Sequence, residues 1–412
     1  MITRKPRIFY GYIVILAGTI ASAFMIGTYT SFGIFFKPIS SELGWTRATT
    51  SVAGSVAALV TGFFGILAGR VTDKYGPKLV LIASGFLFGI GNFLMSQIST
   101  PWHLYMFYGV LLGAGMSAAD IPIVTTIARW FVKRRGMMTG ITKAGAGVGL
   151  VSMPLLLSWL ISTRGWRDTY AIIGIVAAVG IVSMALLFKR DPSKTGELPD
   201  GATNVELSDS STITRHFSLR EAMETRQLWL FSTAWVSFMF VMQVVMIHIA
   251  NYVTDVGLSA ATAAAILSVI GGFSILGRLG LASLSDILGT KSAYVIAFSF
   301  LATALLWLQF ARETWMFYLF GAIYGTAHGA CFALIAPLVA GLFGVQSLGS
   351  ILSVIFLIGT LGAIISPMLA GRIFDIMGNY QLAFWLCFAM SIVGIVLILL
   401  LRPTNKGGTN EP

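Results

Sequence analysis

Charge is what this chain has least of. Only 10% of its 412 residues are Asp, Glu, Lys or Arg, against 56% hydrophobic. A soluble domain of that make-up would lack the polar surface it must show to water. Cysteine is almost missing as well: Cys331 and Cys387 fall in apolar runs far apart in sequence, which excludes a disulfide framework and leaves no metal site to expect. Nucleotide chemistry has no place either. Gly145-Ala146-Gly147-Val148-Gly149 has no strand before it and no Lys-Ser or acidic partner, so it does not cradle a phosphate, and no cofactor is expected. No nucleophile, base and oxyanion donor stand together at a recognisable spacing, which argues against an enzyme. Any work the chain does must draw on a gradient.

What is present in quantity is apolar helix. A span needs about 20 apolar residues to cross hydrocarbon, and twelve such runs are found at 10–36, 48–69, 79–98, 103–128, 137–160, 167–188, 228–252, 260–283, 292–311, 315–340, 347–370 and 382–401. The predicted fold is an all-α membrane protein of twelve transmembrane helices in two six-helix repeats, since open sheet edges cannot be satisfied in lipid. The first run has no small-residue cleavage site and continues into Phe35-Phe36-Lys37, so it reads as a retained span.

The halves are 1–188 and 228–412, the second ending in a short tail, with a polar linker over 189–227 that opens at Asp191-Pro192-Ser193-Lys194. Within it Ser218, with Glu221 three residues on, predicts a capped surface helix. The net charge of +11 suggests nucleic acid at first sight, but its distribution does not. With the amino terminus inside, only Lys37, Arg47, Arg164, Arg167, Arg312 and Arg372 fall outside, Lys143 and Arg278 lie within spans, and all other Lys and Arg are cytoplasmic. That is the positive-inside pattern. It predicts cytoplasmic termini in a plasma (inner) membrane, and a lipid rather than a nucleic-acid partner.

The halves share a motif. Gly69-Arg70-Val71-Thr72-Asp73-Lys74-Tyr75-Gly76-Pro77-Lys78 returns in reduced form as Asp286, Gly289 and Lys291, and the same offset pairs Gly44 with Gly257, Thr46 with Ser259, Ala48 with Ala261 and Ser55 with Ser268. Shifted in the same way, Gly65 lands on Arg278, a guanidinium inside an apolar run. Such a charge is expensive in lipid and marks a functional site by default. Parallel six-helix repeats imply a site between the halves near mid-membrane, reached alternately from each side.

Asp120, Lys143 and Arg278 are the ionisable residues deep in predicted spans, each roughly 10 to 15 Å in at 1.5 Å per residue. Asp120 and Lys143 lie on helices joined by a short loop, so an ion pair between them is the economical expectation. It either locks the amino-terminal half or lets Asp120 exchange a proton when substrate competes for the cation. Arg278 offers a planar fork to a carboxylate. His328, and less so His248, are candidates for proton coupling. Gly140, Gly145, Gly147 and Gly149 on the fifth span predict close helix packing, or else a hinge.

The GRVTDKYGPK stretch, its echo before the ninth span and the twelve-span layout resemble the major facilitator superfamily over essentially the whole chain. Ser31-Phe32-Gly33-Ile34-Phe35-Phe36-Lys37-Pro38, then Glu42-Leu43-Gly44-Trp45-Thr46-Arg47, together with Arg278, resemble the monocarboxylate porters and the oxalate–formate antiporter group. The resemblance implies small carboxylate substrates, with the eighth-span arginine on the anion and Lys143 a possible second cation. It also implies Thr28, Tyr29, Gln243, Tyr324 and Cys331 as further path-lining residues. Asp73 and Arg70, with Gly69, Gly76 and the echo Asp286, are implied to form a cytoplasmic gate. There are departures. Animal porters carry an acid one turn before the arginine, where Ser274 stands here, and a first-span lysine that aligns with Thr30. Oxalate carriers have an eleventh-span lysine, whereas Ile351 to Pro367 holds no cation. The expectation is a secondary carrier of monocarboxylates such as lactate or pyruvate, coupled to protons or to a counter-anion and working as a monomer. The alternatives are an oxalate or dicarboxylate–formate antiporter and a non-transporting membrane sensor.

Overall fold

The computed structural model describes residues 9–131, 135–198, 200, 217–344 and 347–402; of Asp73, Ile121, Ala128, Arg135, Gly136, Met137, Ala282, Ser283 and Asp286 it describes the backbone only. Among the described residues there are helices and no strands. The first span is two helices, α1 (Tyr10–Thr30) and α2 (Phe32–Leu43), offset at Ser31. Its hydroxyl donates to the Gly27 carbonyl at 2.6 Å, and Thr30 donates to Ile26 at 2.7 Å. Back-bonding of this kind bends a helix. α3 (Arg47–Tyr75) and α4 (Pro77–Met95) follow.

The fourth span departs from the predicted continuous helix over 103–128. It runs as α5 (Pro101–Leu104), a π-helical stretch Tyr105–Leu112, α6 (Gly113–Met116) and, after a break, α7 (Ile121–Trp130). Pro122 explains the break. It has no N–H to continue a helix and disfavours helical geometry in the residue before it, so it is tolerated in a new first turn. Asp120 becomes the N-cap of that turn. The expected fifth and sixth spans are two helices that meet at Gly165, whose φ 79° and ψ 164° are non-helical; together they form the segment Arg135–Leu186, labelled α8. A side chain would be strained there. The linker begins with a 3₁₀ turn, Pro192–Thr195, and Glu197 accepts from the Tyr10 backbone N–H at 3.2 Å, capping α1. The expected surface helix is α9 (Leu219–Met223), with a complete capping box between Ser218 and Glu221.

α10 (Arg226–Asp255), α11 (Ala260–Leu288), α12 (Thr290–Leu308), α13 (Thr314–Phe343), α14 (Leu348–Met377) and α15 (Gln381–Leu399) complete the chain. Ten segments among the described residues are long and apolar enough to cross a membrane. α8 carries two spans and the interrupted fourth adds one, which makes twelve. Leu16, Phe63, Trp159, Val179, Leu279 and Val396 stand exposed, as lipid-facing side chains should.

The sequence repeat reappears as local geometry. Thr46 caps α3 by accepting from Thr49 N–H at 3.1 Å, and Ser259 caps α11 by accepting from Thr262 N–H at 3.0 Å. Gly76 and Gly289 turn the chain with φ 92° and 83°. Each donates its N–H to the carbonyl four residues back at 2.9 Å.

The chain forms two compact units, one of Met1–Asp209, Val244–Gly272 and Pro367–Tyr380, the other of Ser210–Gln243, Phe273–Ser366 and Gln381–Pro412. In the first, Phe35 stacks on Tyr170 at 4.0 Å and Phe32 lies 4.1 Å from Tyr108. α1 and α8 touch because a Cβ at Gly145 or Gly149 would sit on the carbonyls of Thr19 and Ala23. Gly149→Val is therefore expected to destabilise the protein by about 1–3 kcal/mol or more, the usual range for overpacking. A thermal melt of the purified variant checks it; an unchanged midpoint would return these glycines to the hinge reading. In the second unit, Gly277 and Gly329 lie against the carbonyls of Thr326 and Ser274, so α11 and α13 are in backbone contact.

Candidate functional site

That close approach of α11 and α13 sets the surroundings of Arg278. One turn before it, Ser274 Oγ meets His328 Nδ1 at 3.1 Å. The Arg278 guanidinium lies 5.9 Å from the Phe332 ring centre, within cation–π range. Phe332 in turn contacts His328, Phe238 and Trp235 at 5.2, 5.3 and 5.6 Å between ring centres. Arg278 is half-buried while His328 is buried, 4% exposed. The result is one permanent cation against an aromatic wall, with a hydrogen-bonded imidazole one turn away.

In the first unit, the break in the fourth span presents Asp120 towards α8. Lys143 Nζ stands 3.3 Å from its Oδ2, with side-chain exposures of 45% and 58%. The pair is thus open on one side and not sealed among packed helices. Its carboxylate also sits at a helix N-terminus, where negative charge is favoured.

The remaining expected path residues fare differently. Tyr29 stacks on Tyr108 at 5.9 Å, and its backbone carbonyl accepts from the Tyr108 hydroxyl. Thr28 is buried, and its hydroxyl has no hydrogen-bond partner among the described residues. Gln243 is buried at 6% exposure. Tyr324 and Cys331 are fully enclosed; Tyr324 stacks on Phe320 and His328, and the Cys331 carbonyl takes the Tyr294 hydroxyl at 2.7 Å. In this conformation they pack the second unit. Of the gate residues, Arg70 is exposed near the end of α3, Gly69 is half-buried beside it and Gly76 makes the turn, while the side chains of Asp73 and Asp286 lie outside the described residues.

The sequence reading passed over a cluster at the other end of α3. Arg47 grips Asp255 with both terminal nitrogens, Nη1 to Oδ2 at 2.6 Å and Nη2 to Oδ1 at 2.8 Å. Its Nη1 also donates to the Tyr380 hydroxyl at 2.7 Å, and the guanidinium lies 3.6 Å over the Phe374 ring. Asp375 accepts from the backbone N–H of Arg47 at 3.0 Å and of Ala48 at 2.8 Å, at the positive end of the α3 dipole. Burial pushes the Tyr380 phenol up, the Arg47 charge and hydrogen bond opposing this, so it keeps its proton. It donates that proton to His248 Nδ1 at 3.0 Å. His248 Nε2 faces the Pro367 carbonyl at 3.0 Å and must be the N–H. Both ring nitrogens of His248 are thus engaged in hydrogen bonds. The available signal was acids, Asp255 and Asp375, ending the seventh and eleventh spans on the side where Arg47 begins the second.

Comparison with known proteins places this geometry. Monocarboxylate transporter 13 of Rattus norvegicus is 24% identical over 97% of this chain and 90% of its own. Monocarboxylate transporter 2 of Homo sapiens is 24% identical over 96% and 86%. Among solved structures, a bacterial homolog of the human lysosomal transporter Spinster, inward-facing and unoccupied, superposes with a TM-score of 0.71 at 19% identity, covering 96% of this chain and 95% of that one. The nucleoside transporter NupG gives 0.72 at 14% identity over 94% and 99%. The Major Facilitator Superfamily model matches residues 18–308 and 281–412. The chain belongs to the Major Facilitator Superfamily, as a multi-pass membrane transporter and not an enzyme.

Proposed function

We propose that this protein carries small organic monoanions, monocarboxylates of the lactate or pyruvate kind, across the plasma membrane by alternating access, coupled to protons or to a counter-anion. The observation that carries the reading is Arg278, a guanidinium in a membrane helix beside an aromatic wall, supported by relatives named monocarboxylate transporters. An arriving carboxylate neutralises this charge. That removes the penalty for closing a charged cavity, and so couples binding to movement. The positive-inside pattern supports cytoplasmic termini, and in this reading the halves 1–188 and 228–412 are the moving parts, working as a monomer.

A dicarboxylate would recruit Lys143, but its ammonium is held on Asp120. Phe356, the residue on α14 that pairs with Lys143 in the repeat, has its ring 5.5 Å from Trp235. Neither observation favours a dianion. The proton coupling is assigned to Asp120, released or reprotonated as Lys143 changes partner, with His328 a second carrier.

Counterflow uptake of labelled lactate, and separately of oxalate, into liposomes with and without an inward proton gradient tests the reading. Lactate uptake driven by the gradient is expected, and Asp120→Asn should keep exchange while losing acceleration by the gradient. Oxalate exchange indifferent to the gradient, and lost in Lys143→Met, would overturn it in favour of the antiporter.

A further inference from the structure

A groove of about 550 Å³ runs through the first compact unit, cut by α2, the fifth-span part of α8, the end of α10 and the start of α11. Its lining changes along its length. On α2, Gly33, Lys37 and Ser41 follow at four-residue spacing on one face, so the wall passes from bare backbone to cation to hydroxyl towards the helix end. On α10 the order Ala250, Asn251, Thr254 runs in the same sense, while on α8 apolar residues alternate with Ser158 and Ser162. α11 contributes only alanines, among them Ala261 and Ala264, and their small size leaves the space open. Lys37 is the one charged residue among those lining it, and its side chain is 43% exposed. Trp159 stands at 61% exposure on the rim, a residue type favoured at the membrane interface.

We infer that this groove holds one anionic phospholipid, its phosphate against the Lys37 ammonium and an acyl chain along Ile34, Leu155 and the α11 alanines. The amphiphilic grading matches a headgroup at the helix ends and a tail at membrane depth. The single cation is complementary to a phosphate, and the volume lies within the about 300–1,000 Å³ of ligand sites. Occupancy also bears on the Arg47 cluster. Lys37 Nζ shares Asp255 Oδ1 at 3.3 Å, so a phosphate drawing Lys37 away leaves that carboxylate to Arg47 alone. The lipid thereby tightens the Arg47–Asp255 contact.

Native mass spectrometry of the purified full chain with phosphatidylglycerol and phosphatidylcholine of identical chains tests this. Phosphatidylglycerol should be retained about five-fold better, the worth of one lysine near a membrane surface. Lys37→Gln should bring it down to the phosphatidylcholine level, Lys37→Arg should keep the preference, and Ala261→Trp, filling the wall, should lower retention of both lipids several-fold. Ala261 is outside the Lys37–Asp255 contact, so this arm decides the matter even if Lys37→Gln does not fold. Equal retention of the two lipids by the wild type, or unchanged retention by Ala261→Trp, overturns the inference.

Discussion

Arg278→Gln is expected to cut carboxylate counterflow by at least about 100-fold, because under the proposed function it removes the charge that receives the anion. A hydrogen bond to a charged group is worth about 1.5–3 kcal/mol, and a guanidinium presents two in parallel to a carboxylate. Arg278→Lys should recover little, since a point ammonium on a flexible stem does not reproduce the planar fork. Initial rates in liposomes measure the effect, and equilibrium binding of the same carboxylate separates lost affinity from lost movement. The neighbourhood sharpens the expectation: Ser274 and His328 are bonded to each other, and neither replaces a permanent charge. Uptake by Arg278→Gln within about three-fold of wild type would remove Arg278 from the substrate site.

Arg47→Gln is expected to open the end of the first unit where α3 begins, raising the exposure of residues buried there by roughly 10-fold. The substitution deletes a two-point ion pair to Asp255, the bond to Tyr380 and the stack on Phe374. Side-chain exposures of 14% and 23% for the Arg47–Asp255 pair place it between the surface and buried cases, so about 1–3 kcal/mol is the fitting range. Ser51, fully buried beside Gly371, is the reporter. With Cys331 and Cys387 replaced by serine, Ser51→Cys should react slowly with an impermeant maleimide, and much faster once Arg47→Gln is added. Labelling from outside intact cells would also establish which side this end faces. Asp375→Asn should also loosen this end, because its single amide oxygen replaces only one of the two acceptors for the Arg47 and Ala48 N–H groups, in addition to the charge–dipole part of about 0.3–1 kcal/mol. Identical labelling rates with and without Arg47→Gln would show that the cluster does not hold this end closed.

The sequence by itself determined the membrane setting, the twelve spans, the repeat and the position of Arg278 within an apolar run. Each follows from quantities that need no neighbour: apolar length, charge count, and a motif whose turn glycine, Gly76 or Gly289, takes a positive φ in both copies. The capping box at Ser218 belongs here too, since its partners are three residues apart. Helix interruptions were legible only in part. Pro122 was in view, but whether it kinks or restarts a helix depends on what lies beside it. Tertiary structure alone decided the partners. The short loop between their helices made Lys143 the economical partner for Asp120, but in an all-apolar span no polar face fixes the rotation of the helix, so nothing in the sequence could choose Ser274 for His328, or burial for Tyr324 and Cys331. The Arg47 cluster gathers groups from three spans far apart in sequence and from the turn before the twelfth, and only the packing of those helix ends brings Asp255, Asp375 and Tyr380 to one guanidinium.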